Sequence, residues 1–134
     1  MIRNSCHKIE AKILQYTNST RKRRGLSPVK YSKNLQFYAQ RHSKEMADNK
    51  YLYHGNNVEI TGASENCGMM YKGHVKGVKY EIRTDADIAR ALHDMWMRSK
   101  AGHRENILDP SHKYMGIGVK RSGNAFYATE LFHH

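Results

Sequence analysis

The chain has few cysteines and prolines and no long apolar segment. It has two cysteines and two prolines in 134 residues, and no stretch approaches the roughly 18 consecutive apolar residues that a membrane helix requires. Two cysteines exclude a disulfide-rich scaffold, and neither lies in the Cys-x-x-Cys spacing of a metal site. With 39% hydrophobic residues, the composition predicts one globular domain, residues 1–134, large enough to bury a single core.

The cysteines and the chain ends leave the cellular compartment open. A disulfide between Cys6 and Cys67 would close a loop of about 60 residues and stabilise the fold by roughly 4 kcal/mol in the loop-entropy model. Two reduced, buried thiols are the alternative. The printed sequence begins without the apolar segment of a signal peptide, so we expect either a cytoplasmic protein or a mature domain whose leader has been removed. His133 and His134 are either native or the remnant of a tag.

Acidic residues are scarce, 12 against 23 Lys and Arg, and the positive charge is uneven. Residues 1–53 hold 12 Lys and Arg against three acids, whereas residues 54–134 hold 11 against nine. The densest cluster, Arg-Lys-Arg-Arg, occupies residues 21–24. A basic face attracts nucleic acid, anionic lipid or acidic polysaccharide, but cations also complement the dipole at a helix C-terminus. No nucleic-acid recognition motif accompanies the cluster, so we favour a solvated helix end and expect no specific nucleic-acid binding.

Apolar periodicity predicts three helices. The first covers about residues 5–23. The second covers about residues 32–49 and begins at Ser32, a residue type that caps helices well. The third covers about residues 85–99, where Thr84 is the expected N-cap and two aspartates favour the first turn.

The rest of the chain predicts strands and irregular structure. Glycines interrupt residues 55–82, within which residues 58–61 have the composition of a short strand. Residues 103–108 indicate a short helical turn. Two strands, residues 114–120 and 125–132, are joined by a Ser-Gly-Asn sequence typical of a hairpin turn. This order of elements suits an α+β fold with three or more helices packed on a small antiparallel sheet.

Several conspicuous residues have a structural interpretation. Gly116 and Gly118 indicate that another segment approaches the first hairpin strand closely. His42 lies on the apolar stripe of the second helix, so we expect a hydrogen-bonded core histidine rather than a ligand. Trp96 lies on the apolar stripe of the third helix and is expected in the core. Three further polar residues are expected to be structural: Arg104, paired with an acid, and Asn66 and Asn106, satisfying loop backbone groups.

The most informative segment is residues 96–108, WMRSKAGHRENIL, in which a helix-like run ends in Gly-His-Arg-x-Asn-Ile-Leu. Leu52-Tyr53-His54 and Ser64-Glu65-Asn66 precede it in the appropriate order. With these segments, the chain resembles the CAP superfamily, or SCP domain (cysteine-rich secretory proteins, antigen 5 and pathogenesis-related 1), in its prokaryotic form. The other matching positions are Asn18, Arg21, Gly25-Leu26, Leu35, Ala39, Met46, Met115 to Gly118 and Tyr127 to Phe132.

The resemblance implies an α–β–α sandwich whose central cleft is lined by two histidines and two acids. By position, His54 and His103 match the two histidines, and Glu65 matches the first acid. The second acid usually lies three residues after the helix tryptophan, where this chain has Ser99. The tetrad is therefore incomplete, and the nearby Glu105 cannot be assumed to replace the missing acid. The resemblance also implies a secreted or cell-surface protein.

Two imidazoles and a carboxylate that converge on a cleft can bind a zinc-like divalent ion and leave one position for water. Such a water becomes a nucleophile near neutral pH. The same trio can instead brace the loops without a metal, because a carboxylate beside an imidazole fixes its tautomer in either case. We predict His54, Glu65 and His103 as metal ligands, and the same three are the candidates for any catalytic role.

Two functions follow from the resemblance and the cleft. The first is a binding module for a lipid, a polysaccharide or a protein, and the basic N-terminal half favours an anionic polysaccharide or lipid headgroup. The alternative is a zinc-dependent, peptidase-like hydrolase that uses the same residues, and the missing acid counts against it. Neither a His-Glu-x-x-His nor a Gly-x-Ser-x-Gly motif is present. We expect no cofactor other than the metal, and a monomer or weak dimer.

Overall fold

The computed structural model describes residues 4–134, in which five helices pack on a four-stranded sheet. The class is α+β and the architecture an α–β–α sandwich, so both predictions are confirmed. In chain order the elements are α1 (Ser5–Arg23), β1 (Lys30–Tyr31), α2 (Lys33–Asn49), α3 (Asn57–Thr61), β2 (Ser64–Tyr71), α4 (Asp85–Arg98), α5 (His103–Leu108), β3 (Tyr114–Ser122) and β4 (Ala125–His133).

Side-chain caps explain where the predicted helices begin. The Ser32 hydroxyl accepts a hydrogen bond from the Leu35 amide at the start of α2. Thr84 and Asp87 form a reciprocal capping box at the start of α4. Because caps satisfy amides that have no partner inside the helix, they fix its first residue. The three long helices match the predicted ranges to within one residue at each end.

The sheet is mixed, which corrects the prediction of a wholly antiparallel sheet. Its strand order is β1-β3-β4-β2, and β1 runs parallel to β3 while the other neighbours are antiparallel. Strand β1 has two residues, Lys30 and Tyr31, which pair with Tyr114 and Met115. A strand of two residues is too short to show an alternating pattern, so its sequence carries no strand signal.

The middle of the chain holds a helix and a strand where the sequence indicated mainly irregular structure. Residues 58–61, predicted as a short strand, lie in helix α3, which ends at Gly62 with a φ of 74°. Glycine adopts this left-handed conformation without strain, and the Gly62 amide donates a hydrogen bond to the Val58 carbonyl. Strand β2 instead begins at Ser64 and pairs with β4 along its whole length.

Gly116 and Gly118 allow α2 to lie directly on β3, as the sequence predicts. A Cβ atom at Gly116 would lie 2.3 Å from the backbone nitrogen of Gln36, and one at Gly118 would lie 2.3 Å from that of Gln40. No real Cβ contact is this short, so only glycine permits the approach. The side chain of Ile117, between them, joins the core on the opposite face of the sheet.

The larger core lies between the sheet and the pair α1 and α4. Its members include Ile13 from α1, Leu92 and Trp96 from α4, and Ile117 and Val119 from β3. Trp96 is buried, as expected, and its ring nitrogen donates to the Cys67 carbonyl at 3.0 Å.

Arg21 corrects the interpretation of the basic cluster as a solvated helix end. Lys22, Arg23 and Arg24 are exposed, but Arg21 is fully buried. Its guanidinium donates to four carbonyl oxygens: those of Ser27 (2.8 Å), Ile107 (2.8 Å), Asp109 (2.9 Å) and His112 (3.2 Å). The planar group with its five N–H donors suits several carbonyls at once. Arg21 thereby connects α1 to the segment that follows α5.

The cysteines are reduced and separate. Cys6 is half-buried on α1 and Cys67 is buried on β2, and neither forms a disulfide. The alternative of two free thiols therefore describes the structure. Within residues 4–134, no helix is both long and apolar enough to pass through a bilayer.

Candidate functional site

The rings of His54 and His103 lie next to each other, and these two residues with Glu65 form the group that we call the cleft. His54 lies in the loop between α2 and α3, and His103 is the first residue of α5. Their ring centroids are 6.3 Å apart and their planes differ by 15°. Gly102, with a φ of 99°, turns the chain so that α5 begins at His103. The structure thus brings together two of the predicted ligands from segments about 50 residues apart.

Glu65 forms the inner wall of this cleft. Its side chain is 2% exposed, whereas that of His54 is 66% exposed. Its Oε1 atom accepts hydrogen bonds from His54 Nδ1 (3.0 Å), the Gly55 amide (2.9 Å) and Cys67 Sγ (3.3 Å), and its Oε2 atom accepts one from Asn57 Nδ2 (2.9 Å). Burial opposes ionisation, but these donors lower the pKa of Glu65 below its usual value. The group is therefore a carboxylate at neutral pH.

The Glu65 carboxylate determines the tautomer of His54. A carboxylate only accepts hydrogen bonds, so His54 carries its proton on Nδ1. The neutral His54 ring then has its lone pair on Nε2. This is the arrangement that orients metal-binding histidines in proteins.

Ser99 contacts His103 at the corresponding nitrogen. Its Oγ atom lies 2.7 Å from His103 Nδ1, and it accepts a hydrogen bond from the Ala101 amide at 3.0 Å. A hydroxyl both donates and accepts, so Ser99 does not select one tautomer of His103. Burial, together with the charge that His54 carries when protonated, lowers the pKa of His103. Both histidines therefore have a partner at Nδ1, but only one partner is an acid.

A second layer of polar groups holds the cleft from behind. Asn66 Nδ2 donates to the His103 carbonyl (3.0 Å) and to Glu130 Oε1 (3.1 Å), and Asn106 Nδ2 donates to Asn66 Oδ1 (2.9 Å). Thr17 donates to the other oxygen of Glu130 at 2.8 Å. Glu130 is wholly buried, and burial raises its pKa to about 7. The two asparagines thus have the structural role expected of them.

Arg104 and Glu105, the two residues after His103, do not have the acid-related roles considered for them from the sequence. Arg104 does not pair with an acid: it donates to the Met97 carbonyl at 3.2 Å and ties α5 to the end of α4. Glu105 is exposed, and within residues 4–134 it makes neither a hydrogen bond nor an ion pair to His54 or His103. It therefore does not replace the missing second acid.

Several residues that surround Glu65 were not predicted from the sequence. Asn57 is 2% exposed and binds Glu65 from helix α3, in the segment interpreted as irregular. His42, expected only in the core, belongs with Glu65 and Cys67 to a buried group whose ligand atoms lie within 4.8 Å of one another. Among the described residues, the ligand atoms of this group lie this close together, and those of His54, Glu65 and His103 do not. No local pattern marks these residues, because three separate elements supply them.

A groove of about 570 Å³ continues from the cleft along β2 and α4. His103, Ser99 and Cys67 line it beside the cleft. The groove also has two cationic side chains, Lys76 and Arg98. Most of its remaining lining is apolar: Leu52, Met69, Met70, Val75, Val78, Met95 and Trp96. An apolar groove next to polar groups is a common form of ligand site.

The fold agrees with that of a known protein family. The sequence model of the CAP family, described as the cysteine-rich secretory protein family, matches residues 14–132. The chain belongs to this family.

Three known proteins illustrate the similarity. The uncharacterized protein YkwD of Bacillus subtilis (strain 168) is 29% identical over 120 residues, which are 86% of this chain and 44% of YkwD. An extracellular protein of Bacillus anthracis str. Ames that contains an SCP domain is 22% identical, with a TM-score of 0.68 over 96% of this chain and 41% of that one. The NaASP2 structure with Zn²⁺ is 14% identical, with a TM-score of 0.69 over 98% of this chain and 82% of that one.

These comparisons define the fold and the family. The chain spans less than half of the length of YkwD and of the Bacillus anthracis protein. Identities of 22% and 14% to the solved structures show a shared fold.

Proposed function

We propose that this chain is an extracellular-type binding module that holds a zinc-like divalent ion between His54 and His103. One observation carries the proposal: both rings are bonded at Nδ1, by Glu65 and by Ser99. This bonding makes Nε2 the available ligand atom of His54, and it does the same for His103 when Ser99 accepts. The lowered pKa of His103 favours the neutral ring that a metal requires.

An ion held by both rings has to lie near the plane of each ring, because an imidazole nitrogen has its lone pair in that plane. Zinc–nitrogen bonds are about 2.0–2.1 Å long, and the two ring centroids are 6.3 Å apart. Glu65 is already engaged by His54 and by three other donors. We therefore assign it the role of orienting His54 rather than of binding this ion directly. The zinc in the NaASP2 structure supports the same idea by analogy of fold.

For the ligand of the module, we propose an anionic molecule with an apolar part, such as a lipid. The groove beside His103 is mostly apolar, and Lys76 and Arg98 line it. The chain carries a formal net charge of +11, which attracts anions over a distance. An extracellular or surface location is part of this proposal, in keeping with the description of the Bacillus anthracis protein.

The cleft gives no support to the hydrolase alternative. A metal-bound water needs a base nearby, and the carboxylate of the cleft, Glu65, is occupied by four donors that hold its pKa low. Ser99 replaces the second acid, and a serine hydroxyl is not a base at neutral pH. We therefore propose binding and not turnover.

Calorimetric zinc titration tests the metal proposal. The His54→Ala, His103→Ala double variant should bind one zinc equivalent fewer than the wild-type protein. The matched control is His7→Ala, His74→Ala, which removes two exposed histidines elsewhere and should leave the stoichiometry unchanged. His133 and His134 stay in every protein, so their contribution cancels. A stoichiometry that is unaffected by the cleft substitutions would refute the metal proposal.

A flotation assay with lipid vesicles tests the ligand proposal. Binding to vesicles of phosphatidylglycerol should exceed binding to phosphatidylcholine and should weaken steeply as NaCl rises, since salt screens exposed charges. Met95→Asp, which places a charge in the apolar groove, should reduce binding at every salt concentration. Equal binding of both vesicle types, or affinity indifferent to salt and to this substitution, would contradict the proposal.

A further inference from the structure

A second group of metal-ligand atoms lies behind the cleft, on the inner side of Glu65. One ring nitrogen of His42, a carboxylate oxygen of Glu65 and the sulfur of Cys67 all lie within 4.8 Å of one another. The three side chains come from α2 and β2, and all three residues are buried. The Cys67 sulfur is 3.3 Å from Glu65 Oε1. Imidazole, carboxylate and sulfur ligands in one buried group form a donor set that zinc-like ions use in proteins.

The hydrogen bond of His42 determines its tautomer. Its Nε2 atom is 2.7 Å from the Tyr53 carbonyl oxygen, which only accepts, so Nε2 carries the proton. The lone pair of the neutral ring is therefore on Nδ1. The Glu45 carboxylate approaches the same Nδ1 atom to 4.0 Å. This carboxylate is 56% exposed, so water solvates it, and its charge also favours a cation near Nδ1.

Gly55 packs closely on the His42 ring. A Cβ atom at Gly55 would lie 2.6 Å from His42 Nδ1, so any other residue at this position would push the ring out of its place. The Gly55 amide donates to Glu65 Oε1 at 2.9 Å, which keeps the loop and the carboxylate together. Cys67 also lines the groove of about 570 Å³ that opens beside His103. A hydrated ion therefore has a path to the sulfur.

We propose that His42, Glu65 and Cys67 form an inner binding site for one thiophilic divalent cation, distinct from the cleft between His54 and His103. On binding, the Cys67 S–H bond breaks, its proton passes to solvent, and a sulfur–metal bond forms. Glu65 loses the hydrogen bond from Cys67, which leaves a lone pair on Oε1 for the ion, and keeps those from His54, Asn57 and Gly55. Sulfur selects ions such as Zn²⁺, Co²⁺ and Cd²⁺ over Mg²⁺ and Ca²⁺.

Cobalt titration followed by ultraviolet absorption tests this site, because only a thiolate ligand produces sulfur-to-cobalt charge transfer. The wild-type protein should develop this band with a stoichiometry of one. The band should disappear in Cys67→Ser and persist in Cys6→Ser, which removes the other thiol. It should also persist in His103→Ala, which removes a cleft ligand that makes no hydrogen bond to the inner group and so separates this site from the cleft.

Three outcomes would overturn the proposal: no charge-transfer band in the wild-type protein, a band that survives Cys67→Ser, or a band lost in Cys6→Ser. A second measurement covers the case in which Cys67→Ser does not fold. Zinc calorimetry on the His103→Ala variant, in buffers of different ionisation enthalpy, should show one equivalent bound with release of one proton. No residual zinc binding in that variant would refute the inner site and leave the cleft proposal intact.

Discussion

Ser99 Oγ lies 2.7 Å from Nδ1 of His103, at the position where the family resemblance leads one to expect a carboxylate. His54, by contrast, is bonded at Nδ1 by the buried carboxylate of Glu65. The two histidines of the cleft are thus held at the same atom by partners of different chemistry. The acid fixes the tautomer of His54 and adds negative charge, and the hydroxyl does neither for His103.

Ser99→Glu should therefore tighten zinc binding in the cleft. A carboxylate at His103 Nδ1 would hold the proton there, leave Nε2 free for the ion and add a favourable charge. We expect the dissociation constant for zinc to fall about tenfold, the lower end of the effect of such outer partners. Calorimetry on the Cys67→Ser background would isolate the cleft ion.

The matched control for this substitution is Ser27→Glu, which adds the same charge at an exposed serine outside the cleft. It should leave zinc affinity almost unchanged. Equal tightening by both variants would attribute the effect to overall charge. An unchanged affinity in folded Ser99→Glu protein would show that His103 does not bind the ion.

Arg21→Ala should destabilise the fold strongly. Removal of the guanidinium leaves four carbonyl oxygens, including those of Ile107 and His112, without their donor. Buried acceptors without partners are costly, so we expect the free energy of unfolding to fall by about 3 kcal/mol or more. Chemical denaturation would measure it. Arg24→Ala, at an exposed arginine of the same helix end, should change stability by less than about 0.5 kcal/mol.

Glu130→Gln should alter how stability depends on pH. Burial raises the pKa of Glu130 to about 7, from an ordinary value of 4.5. A raised carboxyl pKa favours the folded state at low pH, and this contribution is lost as pH rises from about 4.5 to about 7. Over that window the wild-type protein should lose about 3 kcal/mol relative to Glu130→Gln.

The comparison requires urea unfolding of both proteins from pH 4 to pH 8. Glutamine retains the two contacts, accepting from Asn66 and donating to the Thr17 hydroxyl. Glu10, whose pKa burial also raises, contributes to both proteins and cancels in the difference. A difference between the two proteins that stays constant with pH would show that Glu130 titrates at its ordinary value.

Gly118→Ala should cost far more than Gly68→Ala in the same sheet. At Gly118 the new methyl group would lie 2.3 Å from the backbone nitrogen of Gln40, which moves only with helix α2. At Gly68 it would meet Met95 Cε at 2.8 Å and Leu92 Cδ2 at 2.9 Å, and side chains can adjust. We expect a loss of about 3 kcal/mol for Gly118→Ala and a smaller one for Gly68→Ala. Thermal unfolding that ranks them in the opposite order would contradict the packing argument.

Much of the fold could be predicted because its helices are encoded locally. Helix α4 has both a capping box at Thr84 and an apolar stripe, and its bounds differ from the prediction by one residue. Helix α3 and strand β1 were not predicted, for one reason. Each has five residues or fewer, and a segment so short is decided by what packs against it rather than by its own pattern.

The motif residues of the candidate site could be predicted from the sequence, but their hydrogen-bond partners could not. The positions of His54, Glu65 and His103 followed from the resemblance to a family. The partners of Glu65 did not, because Asn57 belongs to a segment without a recognisable pattern. The close grouping of His42 with Glu65 and Cys67 was also not predicted, because His42 lies on an apolar helix stripe, where a core role is the usual one.

The sequence by itself determined the three long helices and the closing hairpin. Periodicity and caps act between residues a few positions apart, so local chemistry suffices for them. Tertiary structure alone decided the hydrogen bond between Thr17 and Glu130, which are 113 positions apart, and the four carbonyl partners of Arg21. Such contacts depend on how distant elements pack. A buried polar group needs a hydrogen-bond partner, and the packing of the elements decides which partner is near enough.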